Sequence, residues 1–210
     1  MLILYQLAVG LVWLCAVGLM IVKTDHSRVF MYRLQAFGQT LVILFAAIAL
    51  DDMWLYIGAA ITVVLKIGII PSVVKRALHP ADPYGVKSTW GVGGMILAAL
   101  VLSGGGVLAG RLGGLPHPGV AGLVLAALFV TFLHLSVRFE LGSIVWAILS
   151  LDTVVGIAVT LFAVHLPPAF AMGADGVSLA LALVIAYLAR WLIRLQASPN
   201  AATLEEELTG

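Results

Sequence analysis

Polar residues break the chain into seven long apolar stretches, near 2–22, 34–50, 54–74, 91–110, 119–137, 142–164 and 170–189. A helix needs about 20 mostly apolar residues to cross a bilayer, and each stretch approaches or reaches that length. The breaks are distinct. TDHSR (24–28) is polar, Asp51-Asp52 is a doubled acid, and KRALHPADPYGVKST (75–89) is a long loop with two prolines. GRLGGLPHPG (110–119) is a Gly/Pro turn, Arg138 and Glu140 mark a tight turn, and HLPP (165–168) separates the last two stretches. The pattern predicts an all-α fold: a polytopic membrane helical bundle of about seven transmembrane helices. The N-terminal MLILYQLAVGLVWLCAVGLMIVK has no basic leader and a longer apolar run than a cleaved signal, so it is expected to persist as the first span.

The positions of lysine and arginine predict an orientation, because cytoplasmic loops collect them. With the N-terminus outside and the C-terminus cytoplasmic, Lys23, Arg28, Arg33, Lys75, Arg76, Lys87, Arg138, Arg190 and Arg194 fall inside, and only Arg111 falls outside. A missed span would scramble that alternation. Trp54, Tyr56, Tyr84 and Trp90 lie near span ends, where amphipathic rings favour the interface, whereas Trp13, Trp146 and Trp191 need no special role.

Composition agrees. The 210 residues are 62% hydrophobic and 10% charged, with a mean hydropathy of +1.14; a soluble domain carries about a quarter charged residues. The net charge of +1 implies no polyanionic partner, and no basic stretch with interleaved aromatics points to nucleic acid. Cys15, the single cysteine, lies in an apolar run and reads as packing. GVGGM and SGGG (91–95, 103–106) lack a preceding strand and a following Lys-Ser/Thr, so they read as close helix packing rather than a phosphate loop. The loops leave no room for a soluble domain. Residues 1–90 form an N-terminal three-helix unit with its cytoplasmic loop, 91–195 a four-helix unit, and 196–210 a short polar tail.

Ionisable groups within the spans then carry the argument, since a charge at the bilayer centre costs about 3 kcal/mol or more. Lys66 lies deep between Asp52 and Lys75, too far from either edge to snorkel easily. It reads as a proton-carrying lysine or as half of a structural ion pair. Pro71, five residues on, leaves the carbonyl of Ile67 without its helical donor. Asp152 lies midway between Arg138 and His165 and must be protonated, paired or hydrated. Asp175 is either a second intramembrane acid or the cap of the seventh helix near the outer surface. His134, one turn inside the cytoplasmic edge, is a proton entry point or a hydrogen-bonded interfacial histidine. Gln35 and Gln39 share one face of the second span and suit interhelical hydrogen bonds. No metal, nucleophile or triad pattern emerges, and a proton path through Lys66, Asp152, Asp175 and His134 is the expectation.

These residues also resemble a family. SVRFELGSIVWAILSLDTVVG followed by MGADGVSLALALVIAYLAR is similar to the K-type subunit of respiratory complex I and the C subunit of multisubunit cation/proton antiporters. That unit has a basic turn and then two helices, each with an acid; here Asp152 and Asp175 stand where the family has glutamates, and the K-like part begins near 119. The whole chain resembles component E of hydrogenase-4 and formate hydrogenlyase membrane arms, through IVKTDHSR, QAFGQTLVI and LKIGIIPSVV. The resemblance implies a non-catalytic subunit in the cell's inner (cytoplasmic) membrane, with no cofactor in this chain. Its implied partners are antiporter-like membrane subunits, a quinone-site-like membrane anchor and a hydrogenase-like peripheral redox module. Proton or sodium translocation would be coupled to redox chemistry in those partners. A purely structural scaffold of such an arm, or a stand-alone small transporter, are the alternatives.

Overall fold

The computed structural model describes residues 1–78, 90–115, 117–138, 141–162 and 168–196, with backbone alone for 141, 168–175, 189 and 192–196. Among them are seven long helical segments and no strand. They are α1 (Leu2–Ile21), α2 (Asp25–Leu50), α3 (Met53–Leu78), α4 (Val92–Leu112), α5 (Pro118–Val137), α6 (Leu141–Phe162) and α7 (Pro168–Gln196). The first six are each long and apolar enough to cross a membrane. In α7 the described apolar segment is Gly176–Leu188, within a 29-residue helix. The protein is a multi-pass helical membrane protein.

Three helices exceed the apolar stretches that announce them. α2 starts at Asp25, well before the apolar run, because Thr24 is extended and Asp25 opens the first turn with a favourable negative charge. α3 continues through Lys75 and Arg76, and α7 continues to Gln196. Polar residues end the lipid-facing part of a helix without ending the helix.

Helix direction alternates along the chain, and long-range contacts confirm it. At one end Arg138 Nη2 donates to the carbonyl of Ile21 at 3.1 Å, and Arg28 Nη1 and Leu78 crowd Gly142. This basic end therefore gathers the close of α1, α3 and α5 with the start of α2 and α6. At the opposite end Gln6 packs on Gly119, and Tyr5 meets Phe45 edge-on at 6.0 Å. Trp54 and Trp90 are exposed at helix ends, Tyr84 lies outside the described residues, and Trp13, expected to be idle, donates to Ser103 at 2.7 Å and ties α1 to α4.

α4 lies flush against α5 because glycine allows it. A Cβ on Gly106 would strike the backbone of Ala126, and one on Gly110 the backbone of Gly122. The small residues four apart on both helices let the backbones touch, which drives association where lipid tails are as apolar as leucine. Gly104 and Gly105 of the same run face open space, so of its three glycines only Gly106 serves this contact.

Candidate functional site

α3 is not a uniform helix. Residues Val63–Ile69 form a π-helical segment within it, and Lys66 is at its middle. Pro71 explains the location: it has no N–H, and its ring crowds the carbonyl four residues back. A wider turn ahead of the proline relieves that crowding. Ile70 N–H reaches back to the Leu65 carbonyl, and the Ser72 hydroxyl supplies Gly68 with a donor at 2.7 Å. π-turns of this kind rotate the side chains that follow and recur at functional sites. Here Val63, Val64 and Ile69 face outward while Lys66 turns wholly inward, 1% exposed.

Inside, Lys66 Nζ lies 2.7 Å from Asp152 Oδ2. Lys66 is thirteen residues after the start of α3 and twelve before its end; Asp152 is eleven after the start of α6 and ten before its end. At about 1.5 Å per residue each lies some 15–20 Å from either end of its helix, at mid-depth. The Ser178 hydroxyl of α7 reaches both carboxylate oxygens at 2.8 Å. Three helices thus converge on one carboxylate. The lysine side chain is sealed at 2% exposure, whereas Asp152 keeps 26% of its side chain accessible. A charge-assisted bond of this length is about twice as strong as a neutral one. The arrangement gives the Asp152 carboxylate a charged partner from α3 and a hydroxyl donor from α7.

Gln39 of α2 completes the group. Its amide rests where a Cβ on Gly156 would be, and the same point is 3.9 Å from Lys66 Nζ. Glycine at 156, one turn beyond Asp152, leaves room for the Gln39 amide. Gln35, one turn earlier on α2, donates to Ser150 of α6 at 2.8 Å.

His134 is apart from this site. It is buried at the basic end of α5, with Nε2 2.8 Å from Ser143 Oγ, nine residues or about 13 Å along α6 from Asp152. The backbone places Asp175 three residues before Ser178, and its side chain lies outside the described residues. The capping reading of Asp175 is overturned: α7 begins at Pro168, seven residues earlier, because proline is suited to a helix's first turn. Glu140 and His165 also lie outside the described residues.

Ser178, Ser150, Ser143 and Gly156 were not singled out by sequence reasoning. Serine and glycine are ordinary in membrane helices, but two signals existed: Ser143 and Ser150 are seven residues apart on one face of α6, and Gly156 is four after Asp152. Four buried atoms complete the inventory: His134 Nδ1, Trp146 Nε1, Gln35 Oε1 and Gln39 Oε1 have no hydrogen-bond partner among the described residues. Left dry, each would cost about 1–3 kcal/mol. No group of three or more His, Cys, Asp or Glu side chains that could hold a metal ion occurs among the described residues. Comparison with protein families, curated proteins and solved structures returns no match.

Proposed function

We propose that this chain is a non-catalytic membrane subunit of a complex I-like, hydrogenase-related energy-converting complex, and that Lys66 and Asp152 take part in its proton or sodium translocation. The observation that carries the reading is the mid-depth Lys66–Asp152 ion pair, set in a π-turn and held from a third helix by Ser178. An acid and an amine in contact at that depth form a bistable element. When Asp152 carries its charge the pair is closed; when it does not, the ammonium loses its partner. Charge added or removed by a neighbouring subunit biases that equilibrium, which is electrostatic coupling. The order of motifs along the chain supports the rest. Antiporter-like subunits, a quinone-site-like anchor and a hydrogenase-like redox module are its proposed partners, in the cytoplasmic (inner) membrane with the basic end facing the cytoplasm.

The test is proton pumping by membrane vesicles carrying the assembled complex. Asp152→Asn or Lys66→Met abolishes or uncouples pumping while the complex still assembles; normal pumping by both variants sinks the reading. A second reading, a purely structural scaffold, is favoured by the same contacts, since the pair clamps α3, α6 and α7 together. Assembly lost on neutralising one charge and restored by neutralising both, with pumping intact in the double variant, would establish it.

A further inference from the structure

The buried residues of α3 step along it in fours. Thr62, Lys66, Ile70, Val74 and Leu78 are all at most 3% exposed. On a regular α-helix such a stripe drifts by about 40° at each step and by about 160° at Leu78, because four residues overshoot one turn. Thr62 and Leu78 would then face nearly opposite ways, yet both are inward. The π-segment removes the conflict. There the Ile70 N–H serves the Leu65 carbonyl, five residues back, where an α-helix would have it serve the carbonyl of Lys66. The slip takes up one residue, or about 100° of rotation, and the drift from Thr62 to Leu78 falls to about 60°. That is within the width of one buried helix face.

Both halves of α3 are held around the slip. At the start of the helix Asp52 Oδ1 accepts from the Trp54 N–H at 2.9 Å, and Thr62 is fully buried. After the slip Ile70, Val74 and Leu78 pack in one cluster with Tyr32, Trp146 and Leu149. Between the halves Gly68 is exposed, and a Cβ there would meet nothing within 4 Å. Pro71 is buried just past the slip. It has no N–H to offer the α ladder, and its ring would crowd the Ile67 carbonyl of a regular helix, so the α register is costly at this one place.

We infer that Pro71 is a positioning residue for Lys66: by excluding the α register it imposes the one-residue slip that turns Lys66 towards Asp152 while Ile70, Val74 and Leu78 keep their places in the core. The inference deepens the proposed function, on which its purpose rests; the contact itself is measurable without pumping. In Pro71→Ala the N–H returns and α3 can close as a regular helix. Its second half is held by three packed side chains, so the lost slip falls on Lys66, which is carried away from Asp152. Deleting Gly68 as well removes the surplus residue. The inward residues are then spaced for an α-helix, and Lys66 faces Asp152 again without a π-turn.

The readout is solid-state NMR of the full chain in lipid bilayers, with isotope-labelled lysine nitrogen and aspartate carboxyl carbon. The Lys66–Asp152 coupling is the signal missing from Lys66→Met. It is expected to fall severalfold in Pro71→Ala and to return in Pro71→Ala with Gly68 deleted, and pumping by the assembled complex should follow it. A purely structural role of the proline would not be repaired by taking a residue away. Coupling unchanged in Pro71→Ala overturns the inference, as does failure of the deletion to restore it. Should Pro71→Ala not fold, folding and coupling regained on deleting Gly68 support the same assignment, and a fold lost in both overturns it. Coupling that follows the proline and the deletion, beside normal pumping in Lys66→Met and Asp152→Asn, would leave the positioning without the proposed function. Pumping lost in those two, beside an unmoved coupling in Pro71→Ala, would leave the function without the positioning.

Discussion

The two halves of this bundle use the same helices and handle polarity in opposite ways. In the half towards the basic end, Gln35 of α2 bonds Ser150 of α6 and His134 of α5 bonds Ser143, beside an apolar cluster that includes Leu19, Tyr32, Val74, Trp146 and Leu149. In the other half the interior is valine, isoleucine and alanine, and the few hydroxyls bond back to carbonyls of their own helix. Lys66 and Asp152 lie at the boundary. Lipid offers helices no hydrophobic reason to associate, so each half needs another source of adhesion. One half adds interhelical side-chain hydrogen bonds to its packing; the other relies on close apolar packing. The ion pair lies where the two kinds of packing meet.

The largest effect is expected at the boundary itself. Removing one member of a buried ion pair leaves the other uncompensated, a loss of about 3–5 kcal/mol. Lys66→Met and Asp152→Leu should each destabilise the bundle by that order, measured by steric-trapping or thermal unfolding in detergent. The combination Lys66→Met/Asp152→Leu should recover most of the lost stability while pumping stays lost, which separates the proposed role from a scaffold. If the single variants unfold like wild type, the boundary is not held by charge, and the division between the halves loses its physical meaning.

How far this boundary was legible in the sequence follows from what each residue must tolerate. Lys66 and Asp152 announce themselves because a charge so far from either surface needs a partner. That each is the other's partner does not follow from spacing, since it depends on how α3 and α6 are rotated about their axes. The π-segment at Val63–Ile69 alters that rotation within α3. Pro71 was visible, but a missing donor predicts a disturbance and not its form. Ser178 was hidden among the small residues of SLALAL. Six spans were legible because apolar length is a direct requirement of the bilayer, and the seventh stretch is a helix whose described apolar segment is Gly176–Leu188. The true ends of α2, α3 and α7 were not, because helices run on into water. His134 was placed at the right depth, while Ser143, its partner, lies on a different helix and carries no mark of the pairing.

A smaller effect should sharpen the polar side of the boundary. Ser178→Ala removes a hydroxyl from a carboxylate, about 1.5–3 kcal/mol for a bond to a charged group. In the same unfolding assay it should fall below either charge-removing variant, and Ser178→Thr should retain part of the stability. Gly156→Ala belongs to the same range. The new methyl would occupy the place of the Gln39 amide, and overpacking of this kind costs about 1–3 kcal/mol. Its partner should be Gln39→Ala, which vacates the space: the double variant should be more stable than Gly156→Ala alone. If Gln39→Ala gives no relief, the amide is not what Gly156 makes room for.

The smallest effect is expected in the apolar half, and its smallness is the point. Thr160 donates 2.8 Å to the carbonyl of Gly156, within its own helix, as Thr40 does to Ala36. That carbonyl is already an acceptor in the helix ladder, so the hydroxyl adds a second bond that nothing else requires. Replacing it with the isosteric valine removes the hydroxyl together with its own need for a partner, while the Gly156 carbonyl keeps its helix-ladder donor, so no orphan is left behind; removal of this kind is close to neutral. Thr160→Val should therefore change stability by no more than about 0.5 kcal/mol. Ser150→Ala, one polar residue in the opposite half, should cost about 1–3 kcal/mol because it strands the Gln35 amide N–H. The two substitutions delete one hydroxyl each from the same helix, ten residues apart. Equal effects would mean that α6 has one kind of interior along its length; the expected gap of at least twofold would locate the change between Ser150 and Thr160, where Asp152 is.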